Sequence, residues 1–347
     1  MKISIAQTRP VNGPENIPVQ SLAEPDFDVF SNIQQNLLTV ARCVREASET
    51  QSELVVFPEY FTQGSLDGRG YLAQPARHIL RELQNLARQF RIAIAGTIVE
   101  PDTTVNQPDI SPLDSAAIST STRTAWTETV RQTHPNVFGP NHPPTHEQNE
   151  RSPKLLNVAY FIEGGTGDVI GRYVKRNLWI SEREYLDPGA EEHTVFQWHG
   201  ITVGFLICWD LAHPLAAQLL AKQGADLIIA PTYWLSTDSQ PSIKPYDPPA
   251  DYEYQLVQSL AYCRAFETET VLAMCNAGGD PAHGLMGGSG IWQPFRGKLM
   301  GQPNDPGSRD DGTELQHYNV DLSILHVARR TYQIREDWDR AMSDPAR

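Results

Sequence analysis

The chain has 347 residues, 40% hydrophobic and 20% charged, a globular composition, and no apolar run approaches the roughly 20 residues that cross a bilayer. Its net charge of -14 argues against a nucleic-acid partner, since such surfaces are built from Lys and Arg clusters. Four widely spaced cysteines, Cys43, Cys208, Cys263 and Cys275, lack the CxxC spacing of a metal site and read as thiols.

In chain order, Lys2 to Gln7 alternates like a strand. The N-terminus lacks the longer apolar stretch and cleavage site of a secretory signal, so a cytoplasmic location away from membranes is expected. Phe30, Ile33, Leu37, Val40, Ala41 and Val44 recur at helical spacing, and Leu54 to Phe57 follows as a buried strand ending at Pro58-Glu59. A helix over Arg77 to Gln89 and a strand over Ile92 to Val99 repeat the plan. Residues 101–152, rich in Ser, Thr, Pro, Asn and His, read as a surface insertion because strands resume directly after them.

Leu155 to Glu163 and Asp168 to Val174 predict a hairpin around Gly164-Gly165-Thr166-Gly167, delivering Lys175. Ile201 to Ile207 is a strand that stops at Cys208. Leu215 to Gln223 (helix), Asp226 to Ala230 (strand), Tyr252 to Thr268 (helix) and Val271 to Met274 (strand) continue the alternation. Ser289 to Gln293, Lys298 to Met300 and His317 to Val320 read as closing strands, with a polar tail over 326–347. The alternation predicts an α/β fold.

Three polar residues stand immediately after apolar strands: Glu59, Lys175 and Cys208. Carboxyl ends of strands aim side chains into a crevice, so a shared site is plausible. A thiol, mostly protonated near neutral pH, becomes a competent nucleophile beside a carboxylate that accepts its proton, a role that suits Glu59. Attack on an amide or nitrile carbon pushes negative charge outward, which Lys175 and the Trp209 N–H are suited to stabilise. Each residue alone also has a plain structural reading: a cysteine after an apolar strand is ordinarily core packing, and a lone Glu or Lys at a strand end is ordinarily solvated.

The ordered set resembles the nitrilase superfamily of carbon–nitrogen hydrolases. The similarity runs through Ile3-Ser4-Ile5-Ala6-Gln7, Phe57-Pro58-Glu59, Tyr173 to Leu178, Ile207-Cys208-Trp209-Asp210 continuing to Pro214, and Gly224 to Ile228. Arg264-Ala265-Phe266-Glu267 to Asn276 and Gly288 to Ile291 extend it. The resemblance implies a single four-layer α-β-β-α sandwich domain over 1–325 and a Glu59–Lys175–Cys208 triad forming a thioester. It implies no metal or organic cofactor, and a homodimer or higher homo-oligomer. It also implies a second glutamate after the lysine, where the spacing to Gly189 favours Glu182 over Glu184. Tyr233 and Trp234 resemble residues that shape the acyl pocket.

Asn177 stands where many relatives carry His, and Cys208-Trp209 is followed by Asp210 where nitrilases usually have Glu. The second departure favours an amide or N-carbamoyl amine over a nitrile, which stays the runner-up. For a substrate carboxylate, Arg176 and Arg183 are the nearby cations. Two other readings are a Cys–His hydrolase using His193, His199 or His213, and a non-catalytic binding member of the fold.

Overall fold

The computed structural model describes residues 1–14, 30–67, 69–102, 154–303 and 311–343. The first sheet contains β1 (Lys2–Gln7), β2 (Leu54–Val56), β3 (Ala93–Pro101), β4 (Leu155–Ile162) and β5 (Val169–Val174). The second holds β6 (Val195–Trp198), β7 (Ile201–Phe205), β8 (Leu227–Thr232), β9 (Val271–Asn276), β10 (Gly290–Gln293) and β11 (Gly297–Lys298). The chain then returns to the first sheet with β12 (Gln302–Pro303) and β13 (Glu314–Asn319), giving the orders β12-β13-β1-β2-β3-β4-β5 and β11-β10-β9-β8-β7-β6.

At the centre of each sheet is a parallel trio, β1-β2-β3 and β7-β8-β9. Parallel neighbours require crossovers, and helices supply them: α1 (Ser31–Glu49) and α2 (Ala76–Phe90) in the first trio, α3 (Pro214–Lys222) and α4 (Tyr252–Glu267) in the second.

Side chains of neighbouring strand residues point to opposite faces, and that alternation divides the interior into layers. Ile3, Ile5, Leu54, Val56, Ala93 and Ala95 share a core with Phe205 and Ile228 of the second sheet. Their neighbours Ala6, Val55, Phe57 and Ile94 pack instead with Ile33 and Val40 of α1 and Ile79 and Leu83 of α2. On the far side, Ala217 and Leu220 of α3 and Val257 and Ala261 of α4 cover the second sheet. Two sheets between helical layers make the α-β-β-α sandwich that the sequence implies.

Most elements lie within two or three residues of their sequence-read bounds. Strand β6 was not anticipated. It pairs antiparallel with β7, and its Phe196 packs on Phe161 of the other sheet at 5.0 Å between ring centroids. The stretch read as a polar tail carries two helices, α5 (Ile324–Tyr332) and α6 (Ile334–Ser343). Helix α5 buries only Leu325 and Ala328, too sparse an apolar stripe to stand out among its charged residues. The insertion read at 101–152 falls almost wholly outside the described residues. No described helix is long and apolar enough to cross a membrane.

Candidate active site

The ends of β2, β5 and β7 bring Glu59, Lys175 and Cys208 to one place: Glu59 and Cys208 line a cavity of about 660 Å³, and Lys175 is buried against Glu59. Strand β2 runs through Phe57, whose N–H bonds Ala95 at 2.8 Å, to Glu59, whose N–H donates to the Thr232 carbonyl of the other sheet at 3.2 Å. Both sheets therefore fix the position of the carboxylate. Lys175 follows β5, with its N–H on the Asn157 carbonyl at 2.9 Å.

The Lys175 ammonium is fully buried and lies 2.8 Å from Glu59 and 2.7 Å from Glu182. A buried charge is tolerated only when paired and hydrogen-bonded, and here every partner is held in turn. Asn157 Nδ2 donates to Glu59 at 2.7 Å. The Trp179 N–H donates to Glu182 at 2.7 Å, and the Tyr60 hydroxyl donates to the same carboxylate. Glu182 is thus the second glutamate of the site, whereas Glu184 is exposed at the surface.

Cys208 sits at φ 44°, a left-handed conformation that costs a non-glycine residue about 1–3 kcal/mol and persists only when its surroundings impose it. The constraint is Asp210, buried below the turn. Its carboxylate accepts from the Ile207 N–H (2.9 Å), the Tyr173 hydroxyl (2.8 Å), and the N–H and Nδ2 of Asn177 (3.1 and 2.7 Å). Asp210 and Asn177, the two departures noted in the sequence, therefore brace the elbow and do not line the cavity.

The protonation pattern follows from burial. Burial pushes the Glu59 carboxyl up to about 7 against the pull of Lys175. Burial also tends to raise Glu182, but Lys175 and the hydrogen bonds from Tyr60 and Trp179 outweigh it and hold Glu182 below the usual carboxylate range. Desolvation pulls the Lys175 ammonium down, and the two glutamates more than reverse this, keeping it well above its ordinary value. Burial and the nearby Glu59 push the Cys208 thiol up, against the pull of Lys175.

Trp209, Tyr233 and Trp234 line the cavity as expected. The Trp209 ring packs between Trp179 at 4.4 Å and Trp234 at 5.3 Å, and Trp234 Nε1 donates to the buried Glu253 at 2.8 Å. Arg176 and Arg183 do not line it, nor do His193, His199 and His213. His193 is taken up below the elbow by the Tyr173 hydroxyl at 2.7 Å. Sequence reading missed Tyr60, Asn157, Trp179 and Asp238. Asn157 carried a signal, a polar residue inside the apolar run Leu155 to Ile162.

The sequence pattern of the carbon–nitrogen hydrolase family matches residues 16–149 and 110–309. The chain belongs to that family. Like other carbon–nitrogen hydrolases of the nitrilase superfamily, it has the two-sheet α/β fold. It is 31% identical over 169 residues to an (R)-stereoselective amidase from Pseudomonas sp., covering 48% of this chain and 53% of that protein. It is 22% identical over 219 residues to N-carbamoylputrescine amidase from Solanum lycopersicum, covering 61% and 58%. The alignments thus span about half of these curated relatives. Among solved structures, Nit3 of Saccharomyces cerevisiae, a member of branch 10 of the nitrilase superfamily, superposes with a TM-score of 0.60 at 20% identity, over 95% of this chain and 94% of that one. An amidase from Nesterenkonia sp. AN1, solved with acrylamide added at its active site cysteine, gives 0.58 at 19% identity, over 97% and 99%.

Proposed function

We propose that this carbon–nitrogen hydrolase cleaves the C–N bond of a non-peptide amide or N-carbamoyl amine through a thioester on Cys208. The observation that carries the reading is one buried ammonium, Lys175, held 2.8 Å from Glu59, while Glu59 and Cys208 line the same cavity. The matched amidases, by their names, act on bonds of this class.

In this reading Cys208 Sγ attacks the substrate carbonyl carbon as its proton passes to Glu59, and the carbonyl π electrons move to oxygen. Lys175 and the Trp209 N–H stabilise that oxyanion, a contribution of several kcal/mol in a site shielded from water. The intermediate collapses by breaking the C–N bond, and the leaving amine takes the proton from Glu59. Water then gives a proton to Glu59 and attacks the thioester, the C–S bond breaks, and the proton returns to sulfur while the acid leaves. Glu182 takes no proton. It keeps Lys175 charged and in place, and Tyr233 and Trp234 bound the acyl side of the cavity.

Self-association, implied by the resemblance, is part of the proposal. Its support is a group of exposed aromatic side chains in which Phe266, edge-on at 5.0 Å, and Phe295, tilted at 5.2 Å, both pack on Tyr332. The test of the reaction is ammonia release from short aliphatic amides, N-carbamoyl amino acids, ω-amides and nitriles by the wild type and by Glu59→Gln. Turnover of amides or carbamoyl amines that disappears in Glu59→Gln supports the reading. Selective turnover of nitriles, or activity that survives Glu59→Gln, overturns it.

A further inference from the structure

The cavity wall carries many charges, and among the described residues nearly all are matched. Lys175 answers Glu59 and Glu182. Asp67 is paired with Arg69 at 3.2 Å, and Asp311 with Arg42. Arg9 and the His283 ring, also on the wall, both converge on Asp280, each at 2.6 Å. Asp238 is the exception: it lines the cavity, its Oδ2 accepts the Leu235 N–H at 2.9 Å, and no described cation pairs with it.

Asp238 is also firmly placed. It closes the loop that leaves β8, in which Trp234 N–H donates to Asn276 Oδ1 at 2.7 Å and Ser236 N–H to the Gly284 carbonyl at 2.9 Å. Tyr233, at the start of that loop, lines the same cavity as Cys208. Asp238 lies five residue steps from Tyr233, a reach of at most about 18 Å even if extended, and the turn shortens it. A carboxylate fixed on the wall of the nucleophile's own cavity, without a counter-ion among the described residues, is complementary to a positive charge on the substrate.

We propose that Asp238 is the specificity-determining residue of the cavity, selecting amides or carbamoyl amines whose far end carries an ammonium group. The proposal rests on the hydrolase reading above and names its substrate class. Binding would place the ammonium against the free oxygen of Asp238 in a charge-assisted hydrogen bond, stronger than a neutral one. The carboxylate must be ionised to do this. Burial, reinforced by Glu253 and Glu182 and opposed by the Leu235 N–H and Lys175, pushes Asp238 up to about 7. Selection for the cation therefore strengthens as pH rises from 6 to 8, while an alkylammonium, with a pKa near 10.4, stays charged throughout.

The experiment measures kcat/KM for matched pairs of linear amides and monosubstituted ureas, with tails of three to six methylenes ending in either an ammonium or a methyl group. Taking the ratio within a pair cancels the titration of Glu59, which both members share. The expected result is a preference for the ammonium tail of about tenfold or more at pH 8 for at least one tail length, expressed mainly in KM. The ratio falls toward one at pH 6, is about one in Asp238→Asn, and is partly restored in Asp238→Glu. A wild-type ratio near or below one at every length, or a preference that persists in Asp238→Asn, overturns the proposal. Independently of turnover, alkylamines should slow iodoacetamide labelling of Cys208 more than alkanols of equal length, and Asp238→Asn should remove the difference. That arm separates the two readings. Protection that depends on Asp238 without hydrolysis of any amide removes the hydrolase reading alone, and hydrolysis without any ammonium preference removes this one alone.

Discussion

Two buried carboxylates, each within hydrogen-bonding range of one buried ammonium, cannot both be ionised with it without leaving a net negative charge in a low-dielectric site. The structure resolves this by dividing the roles. Glu182, with three fixed donors, is held below the usual carboxylate range beside Lys175, and Glu59, raised to about 7, is the carboxylate proposed to exchange a proton with the thiol. Two carboxyls pushed apart in pKa are how acid–base roles are assigned. The expected pH profile follows. Below about 7 Glu59 is protonated and cannot accept the thiol proton, so kcat/KM on a neutral substrate rises as pH increases through that value and then levels while Lys175 stays charged. Glu59→Gln should lower kcat by about 100- to 10,000-fold, the usual worth of a general base, and His213→Ala should retain most activity. Glu182→Gln removes one of the two anions that keep Lys175 protonated, so the alkaline loss of activity should move to lower pH. A steady-state profile of each variant between pH 5 and 10 checks all three.

At the scale of elements, the site depends on how strand tips are braced. The Cys208 elbow hangs on one buried carboxylate with four donors, so Asp210→Asn should cost about 1–3 kcal/mol of stability. It should also lower kcat more than it raises KM, because the displaced group is the proposed nucleophile; denaturant melts and steady-state rates report the two effects separately. The strand tips themselves were legible in the sequence, because an apolar run that stops at a reactive polar residue is visible without coordinates. The resemblance added Glu182. Asp210 was read through its neighbours' identities as a hint about substrate, although its work is local bracing, which spacing does not reveal. Tyr60 and Asp238 were invisible for a related reason. Their roles arise where one sheet or loop meets another, as when the Glu59 N–H reaches Thr232, and such contacts have no sequence period.

Across the whole molecule, the two C-terminal helices tie together the helices that cover the second sheet. Arg335, from α6, donates to the carbonyls of Thr268, Ala221 and Ala225, and Arg329, from α5, pairs with Asp226 at 2.8 Å. These contacts connect the ends of α3 and α4 below the second sheet, so Arg335→Ala should lower Tm by several degrees without changing KM, as calorimetry and rate assays would show. Light scattering tests the assembly: a dimer that Phe266→Ser with Tyr332→Ser converts to monomer is expected. The account as a whole rests on a covalent bond to one sulfur. Acid quenching during turnover of a cleavable amide or carbamoyl amine, followed by peptide mass spectrometry, should find the acyl increment on the Cys208 peptide and on no peptide carrying Cys43, Cys263 or Cys275. Hydrolysis that continues in Cys208→Ala, or an increment on another residue, would contradict the account.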